Sequence, residues 1–301
     1  MSQPTLLDIA KRNSADSAVG LIEEAFLAHP EVMLGAARSI RGLNYQTLVR
    51  TTLPTVAFRN ANEGSAVVAS KYDNRLISTY ILNPQWQCDR AVADRSEDGA
   101  QAYIADEAAG LTEAAMQTLA TQFYYGVTAG DAKGFPGLLS QLDATNMEVD
   151  AAGDASDCSS VWAVRFGPQD VQWVLGNNGM LDVPETTVQR VVDGNGKPYS
   201  AYCGELLAYV GLAIHRTKAI GRIRDVDAGK PLTDDMISAL LNKFPAGRPP
   251  TVIFMSRRSN GYLQQSRTAT TTTGAPAPFP QDVFGIPIAV TDAILDTETA
   301  V

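Results

Sequence analysis

Two stretches decide the fold: residues 44–58, NYQTLVRTTLPTVAF, and residues 71–83, KYDNRLISTYILN. Both are rich in β-branched and aromatic side chains, and the first alternates with the period of two that is typical of a strand. The turn-forming residues 60–64, NANEG, lie between them. We therefore predict a long two-stranded ribbon within residues 36–88, with its tip near residues 60–70.

A ribbon of this length needs a surface to lie on, because an isolated hairpin is only marginally stable in water. That surface belongs either to the same chain or to a neighbouring copy. The alternation of side chains fits an alternative equally well, in which the two stretches are ordinary strands of a larger sheet.

The segment that follows the ribbon predicts one long helix over residues 97–126. It contains no proline, and apolar side chains recur at helical spacing along one face: Ile104, Ala108, Leu111, Ala115, Leu119 and Phe123. Ser96 is a suitable N-cap, and Gly126 is a suitable stop. At 1.5 Å per residue the helix would be about 40 Å long, long enough to be the backbone of a domain.

The second half of the chain mixes predicted strands and helices, so the predicted class is α+β. Residues 161–166 and 171–175 are predicted as strands joined by a turn at residues 167–170. Residues 193–198, DGNGKP, predict a surface loop. A continuous apolar run at residues 251–255 is typical of a central strand.

The composition limits the classes of function. The 301 residues carry a formal net charge of −9, which argues against a protein that grips nucleic acid through a basic stripe. The basic residues are 17 arginines and 7 lysines, and this bias indicates ion-paired surfaces, because arginine forms geometrically fixed pairs with carboxylates. The three cysteines are widely spaced, and no apolar run approaches the about 20 residues that span a bilayer. We expect a chain made in a reducing cytosol, with no membrane role.

Few side chains suggest enzymatic chemistry. No GxSxG, Walker or GxGxxG pattern occurs, and neither His29 nor His215 has the spacing of a metal ligand. Asp225 and Asp227 form a D-x-D pair that can bind a divalent cation. A metal-dependent cytosolic enzyme built on Asp225, Asp227 and His215 is one hypothesis, although a strand end that enters a turn explains the pair more simply.

The order of the predicted parts is distinctive: a helical arm, an extended ribbon, a long helix, a Gly-Phe-Pro-Gly-Leu turn and a mixed second half. This order resembles the major capsid proteins of tailed bacteriophages with the Hong Kong 97-like fold, in the branch of short-tailed phages similar to epsilon15 and Bordetella phage. Stretches that are distributed over most of the chain also resemble that branch in amino-acid sequence. They are TLLDIAKRN (5–13), LPTVAFRNANEG (53–64), KGFPGL (133–138), SSVWAVRFGPQDVQWVLG (159–176), AYCGELLAYVGLAIHRTKAIGRIRDVD (201–227), PPTVIFMSRRS (249–259) and GIPIAVTDAIL (285–295).

The resemblance implies a division of the chain into five parts. They are an N-terminal arm, an extended loop that reaches over a neighbouring subunit, a peripheral domain with a spine helix, a mainly axial domain and a C-terminal return to the peripheral domain. The corresponding residues are 1–35, 36–95, 96–150 with the spine helix at 97–126, 151–280 and 281–301.

The resemblance also implies a structural function with no enzymatic activity and no cofactor. Copies would assemble as pentamers and hexamers into the icosahedral shell of a virion around packaged double-stranded DNA, after synthesis in the bacterial host cytoplasm. A portal protein and a decoration protein are implied partners. No long helical segment precedes residue 1, so we expect a separate scaffolding protein. Encapsulin nanocompartments share the fold and enclose cargo enzymes, and they are the alternative within this class.

If the ribbon lies on a neighbouring copy, its charged side chains are candidate contacts between copies. These candidates are Arg50, Arg59, Glu63, Lys71 and Arg75. We predict no catalytic, cofactor-binding or metal-binding residue.

Overall fold

The computed structural model describes residues 27–97, 99–179, 186–269 and 276–300. Residues 1–26, most of the predicted arm, lie outside the described residues. The helices are α1 (Pro30–Leu34), α2 (Arg90–Ala93), α3 (Ala100–Tyr125), α4 (Leu138–Gln141), α5 (Ala144–Met147), α6 (Asp234–Leu241) and α7 (Arg257–Ala269). The strands are β1 (Ala37–Ser39), β2 (Asn44–Thr52), β3 (Lys71–Ser78), β4 (Tyr80–Leu82), β5 (Gln85–Asp89), β6 (Glu148–Asp150), β7 (Ser159–Val164), β8 (Val171–Leu175), β9 (Thr187–Val192), β10 (Pro198–Glu205), β11 (Ala208–Ile214), β12 (Ile220–Val226), β13 (Val252–Met255), β14 (Asp282–Val283) and β15 (Ile286–Val290).

Within the described residues, the strands form one ribbon and three larger sheets. Strands β2 and β3 pair only with each other. A four-stranded sheet has the order β1–β8–β11–β4, a three-stranded sheet has the order β5–β10–β9, and a six-stranded sheet has the order β14–β15–β13–β7–β12–β6. The predicted α+β class is confirmed.

The ribbon is an antiparallel pair in which Asn44 faces Ser78 and Thr52 faces Lys71, with one register irregularity before Thr52. The predicted pairing is confirmed, and the alternative of two strands inside a larger sheet is wrong. The expectation that the first strand runs on to Phe58 is also wrong. The strand ends at Thr52, shortly before a proline that has no N–H to donate to a strand ladder.

Helix α3 is the predicted long helix, and its 26 residues span about 39 Å. It begins at Ala100, three residues later than predicted, and Ser96 is not its cap. Gly99 holds the N-cap position with a φ of 87°, a left-handed angle that glycine adopts without strain. The last turn, residues 123–125, is buried, so this end of the helix anchors it in the body.

Two hydrophobic clusters form the core. In the first, Phe123 at the end of α3 packs against Trp173 of β8, with ring centroids 5.3 Å apart, and faces Phe254 of β13 at 6.2 Å. This cluster therefore joins the four-stranded sheet to the six-stranded sheet. The second cluster lies against the other face of the six-stranded sheet, where Ile237 and Leu240 of α6 are buried.

The predicted strands β7 and β8, the turn between them and the surface loop at 193–198 are present, and two features of the second half were not predicted. Strands β7 and β8 follow one another but do not form a hairpin, because β7 belongs to the six-stranded sheet and β8 to the four-stranded sheet. Both strands are buried along almost their whole length. Their sequences therefore do not alternate between polar and apolar residues, and the pattern does not show to which sheet each strand belongs. The predicted surface loop at 193–198 is the turn of a hairpin between β9 and β10, strands that we did not predict.

One buried side chain ties the end of α3 to the Gly-Phe-Pro-Gly-Leu turn. The Nε2 atom of Gln122 donates to the carbonyls of Asp131 (3.1 Å) and Phe135 (2.7 Å), and its Oε1 atom accepts from the Asp131 N–H (2.7 Å). Gly126 and Gly137 touch so closely that a Cβ atom on Gly126 would lie 2.1 Å from the Gly137 nitrogen. The helix end and the turn are therefore packed as one unit.

We expect Gln122→Leu to lower the free energy of unfolding by about 2–3 kcal/mol, because it leaves buried backbone groups without partners. Urea denaturation of the unassembled chain, followed by circular dichroism, measures this change. The matched control is Gln117→Leu on the same helix, where Gln117 bonds to the Glu113 side chain (3.1 Å) and the expected loss is below about 1 kcal/mol. Equal losses in the two variants would contradict the assigned role of Gln122.

Candidate functional site

The distal ribbon, which we define as residues 53–70, extends beyond the paired strands. Its large apolar side chains Val56, Phe58 and Val67 are almost fully exposed. Near its tip, Arg59 Nη1 donates to the Glu63 carbonyl (2.7 Å), and the Glu63 carboxylate accepts the N–H of the nearby residue 60 (3.1 Å). The distal ribbon is therefore an apolar surface that the described part of its own chain leaves uncovered.

The middle of the ribbon contains a polar contact between its two strands. Arg50 Nη2 donates to the Tyr72 hydroxyl at 3.1 Å, and the guanidinium lies 5.3 Å from the centroid of the Tyr72 ring. This hydrogen bond lowers the pKa of Tyr72. Lys71 and Asp73 are exposed. Of the predicted contact residues here, Arg50 binds within its own ribbon and Lys71 faces solvent.

The base of the ribbon is fastened to the four-stranded sheet. Arg75 Nη1 donates to the carbonyls of Ile214 (3.3 Å) and His215 (3.4 Å). The Tyr45 hydroxyl lies 3.4 Å from His215 Nε2, and Ile77 belongs to a small buried cluster with residues of β8 and β11. Arg75, predicted as a contact between copies, therefore makes these contacts with its own body.

His215 is buried beneath the ribbon base. Its Nε2 atom also lies 3.0 Å from the amide nitrogen of Gln172. Burial lowers the pKa of His215, and the guanidinium groups of Arg38 and Arg75 lower it further, while Asp170 acts in the opposite direction. The imidazole is therefore neutral at pH 7 and acts as a hydrogen-bonding group at the base.

Asp227, from the hypothesis of a metal-dependent enzyme, fixes two loops. Its Oδ1 atom accepts the N–H of Lys230 (2.6 Å), and its Oδ2 atom accepts those of Asp154 (3.1 Å) and Ala155 (3.3 Å). These bonds, led by the one from Lys230, lower the pKa of Asp227. Both carboxylate oxygens thus bind backbone groups, as expected of a structural residue.

Asp225 and His215 complete that hypothesis, but the structure does not bring them together with Asp227 at a metal site. Asp225 pairs with Arg224 at 2.7 Å, while His215 lies under the ribbon base. In the described ranges, no group of three or more histidine, cysteine, aspartate or glutamate side chains is placed to hold a metal ion. None of the helices described is long and apolar enough to cross a membrane.

A buried ionic network, which the sequence analysis missed, fastens the C-terminal residues. Arg222 donates from Nη2 to Glu298 (2.9 Å), from Nη1 to Glu148 (3.1 Å) and from Nε to the Ser160 hydroxyl (2.9 Å). The Tyr125 hydroxyl donates to Glu298 at 2.5 Å, and burial, together with Glu298, raises the pKa of Tyr125. Its members are far apart in the sequence, so no local motif predicts the network.

Comparison with protein families gives one description for most of the chain. The family model described as "Major capsid protein GP7" matches residues 35–301. A comparison with curated protein sequences finds no match.

Comparison with solved structures identifies similar folds. The structure of bacteriophage Epsilon15 is 21% identical with a TM-score of 0.76, and the match covers 100% of this chain and 98% of that chain. The bacteriophage JBD30 capsid is 10% identical with a TM-score of 0.51, covering 92% of this chain and 93% of that chain. The SrpI encapsulin complex from Synechococcus elongatus PCC 7942 is 10% identical with a TM-score of 0.51, covering 75% of this chain and 97% of that chain. The fold is therefore Hong Kong 97-like.

Proposed function

The chain belongs to the major capsid protein GP7 family, and from this premise we propose that its ribbon joins each copy to a neighbouring copy in a closed icosahedral shell. The protein is a structural subunit of a capsid, a component of the virion and not an enzyme. Its copies assemble with one another. The proposal adds that they do so as pentamers and hexamers, and that the shell encloses double-stranded DNA.

The exposure of the distal ribbon is the observation that carries the proposal. Two strands alone are marginally stable in water, and here they extend beyond the body with Val56, Phe58 and Val67 exposed. Burying apolar side chains of this size is worth about 1.5–3 kcal/mol each. A neighbouring copy offers that burial in every subunit of a shell, which makes a repeated, closed set of contacts.

The predicted contact residues have different roles in this proposal. Arg59, Glu63 and Lys71 lie at or beside the distal ribbon, and we propose that they meet the neighbouring copy. Arg50 and Arg75 already bind Tyr72 and the Ile214 carbonyl of their own chain, so we propose that they hold the ribbon in the direction needed for docking.

We also propose the division of the chain given by the resemblance, from the N-terminal arm at 1–35 to the C-terminal return at 281–301. Two features support it. Helix α3 and its Gly-Phe-Pro-Gly-Leu turn form one packed unit, as a spine helix requires. The chain near Ala28 hydrogen-bonds to Asp292, so the arm boundary and the C-terminal return lie together.

The proposed partners are a separate scaffolding protein, a portal protein, a decoration protein and the enclosed DNA. The net charge of −9 supports a shell that encloses DNA without gripping it, since strong adhesion to the wall would oppose orderly packing of a polyanion. The three cysteines are free, which agrees with assembly in a reducing bacterial cytoplasm.

The experiment is negative-stain microscopy of particles assembled with the scaffolding protein, followed by analysis of their contents. We expect closed icosahedral particles, and virions in which this chain dominates a stained gel. A persistent monomer would contradict the proposal. Particles that hold a cargo enzyme would favour the encapsulin alternative, which the family match does not favour.

Charge reversal distinguishes the contact between copies that we propose for Arg59 from the structural role of Arg75 at the ribbon base. We expect Arg59→Glu to lower the yield of shells by about tenfold, the equivalent of about 1.4 kcal/mol, while the melting temperature of the unassembled chain stays unchanged. Arg75→Glu removes the donor to two carbonyls at the ribbon base, so we expect its unassembled chain to lose about 1–3 kcal/mol of stability. Particle counts and thermal denaturation measure these effects, and wild-type shell yield from Arg59→Glu would refute the assigned contact.

A further inference from the structure

Three guanidinium groups surround one buried carboxylate, and we call these four residues the Asp170 cluster. Arg165 Nε lies 3.0 Å from Asp170 Oδ2, while Nη1 of Arg248 and Nη1 of Arg216 lie 3.5 Å and 3.8 Å from Oδ1. The side chains of Arg216 and Arg248 are 39% and 41% exposed. The cluster thus holds three positive charges against one negative charge, with two of the cations open to solvent.

The exposed arginines have hydrogen-bonding capacity to spare. A guanidinium carries five N–H donors. Arg216 gives one to the Gln169 side chain (3.1 Å), and Arg165 gives one to the Pro249 carbonyl (2.7 Å). For the Arg248 side chain, the described residues offer no polar partner besides Asp170. Several donors therefore remain for a second anion, which the residues that the structure describes do not supply.

The surroundings increase the local positive charge. The N–H of His215 donates to the Asp170 carbonyl (2.9 Å), so the ribbon base with Arg38 and Arg75 adjoins the cluster. Both arginines lower the pKa of the buried His215, as positive charges do. In a chain with a net charge of −9, this region has the opposite sign to the molecule as a whole.

An open pocket, lined mostly by residues with apolar side chains, continues from the cluster. Its volume is about 400 Å³, and its lining includes Phe244, Pro249 and Phe284. Pro249 is shared, because its carbonyl accepts from Arg165. Phe284 is 63% exposed and has a φ of 51°, an uncommon angle for a bulky residue. Exposed aromatic side chains beside a pocket are typical anchors of protein interfaces.

We propose that the Asp170 cluster binds a carboxylate of a second copy of this chain, and that the pocket receives apolar side chains next to that carboxylate. The inference rests on the proposed function, because it requires copies that pack together. A second copy fits by charge, since each copy carries a surplus of nine acidic groups and packing such copies requires cations where they meet. Guanidinium groups bind carboxylates through paired, charge-assisted hydrogen bonds.

The test compares the double variant Arg216→Gln/Arg248→Gln with Lys197→Gln/Lys230→Gln, in which the same number of charges is removed from two exposed lysines. Arg165, the nearest cation to Asp170 at 3.0 Å, remains in the first variant, and the removed guanidinium groups are partly exposed and lie farther away, so we expect unchanged melting temperatures of the unassembled chains. We expect the arginine variant to form shells with about tenfold lower yield, or none. The lysine variant should assemble like the wild type.

Each other outcome overturns the inference. Wild-type shell yield from the arginine variant, or equal loss from both variants, means that the cluster does not recognise a second copy. Wild-type yield combined with weaker binding of a double-stranded DNA fragment would assign the cluster to DNA instead. Failure of the wild-type chain to form shells would contradict the proposed function, a result distinct from all of these.

Discussion

Replacing the distal ribbon, residues 53–70, with the two-residue turn Asn-Gly should abolish shell formation and leave the body folded. Thr52 and Lys71 are paired at the end of the ladder, so a two-residue turn joins them without disturbing the register. The removed segment contains the exposed Val56, Phe58 and Val67, whose burial in every subunit contact we expect to stabilise the shell. We expect a melting temperature close to that of the wild type and no closed particles by electron microscopy.

Single substitutions in the distal ribbon test the same effect on shell formation with a smaller change. Phe58→Ala should reduce the yield of shells without changing the fold, because it removes the largest exposed side chain of the distal ribbon. The matched control is Val192→Ala in strand β9, where an apolar side chain is 64% exposed but lies on a different hairpin. Closed particles from the truncated chain, or equal effects of Phe58→Ala and Val192→Ala, would show that the distal ribbon does not join the copies.

Removing the Arg222 guanidinium should cause the largest loss of folding stability among the single substitutions considered. Arg222→Leu leaves the carboxylates of Glu298 and Glu148 buried without their main cation, and breaking a buried ion pair from one side costs about 3–5 kcal/mol. Chemical denaturation of the unassembled chain measures this loss. We also expect the residues around Glu298 to become sensitive to limited proteolysis, because Arg222 and Tyr125 fasten them to the core.

Two further variants test whether charge burial is the cause. Arg90→Leu removes an exposed arginine that pairs with Asp94 (3.4 Å), and we expect less than about 1 kcal/mol of change. The double variant Arg222→Leu/Glu298→Leu should be more stable than Arg222→Leu alone, because it also removes the carboxylate that the single variant leaves buried without its cation. A cost below about 1 kcal/mol for Arg222→Leu would refute the role of the network.

The sequence predicted the parts of the fold whose pattern is local. The alternation in Asn44–Thr52 and the helical spacing from Ile104 to Phe123 each arise within one element whose two sides differ in exposure. Strands β7 and β8 are buried on both sides, so their patterns do not reveal that they lie in different sheets. Strand β9 is mostly exposed and β10 is mostly half-buried, so neither has a clear alternation of buried and exposed residues, and only the turn between them was recognisable.

The candidate sites, like the fold, were predictable only where their residues form a local pattern. The charged residues of the ribbon could be named because the ribbon itself is a local pattern. The apolar surface around Phe58 was taken for a continuing strand, although Pro54 is the signal that the ladder stops. The Asp170 cluster unites Arg165, Arg216 and Arg248 from three separate stretches, and only the folded chain brings them together.

The ribbon base has a consequence for how one sequence builds a curved container. Its side-chain hydrogen bonds to the body are long, with the bonds from Arg75 at 3.3 Å and 3.4 Å and the Tyr45–His215 contact at 3.4 Å, near the limit of hydrogen bonding. We expect these links to hold the average direction of the ribbon and to allow small tilts about its base. Identical molecules can thereby meet their neighbours at slightly different dihedral angles, as the flat and the sharply bent regions of one closed surface demand.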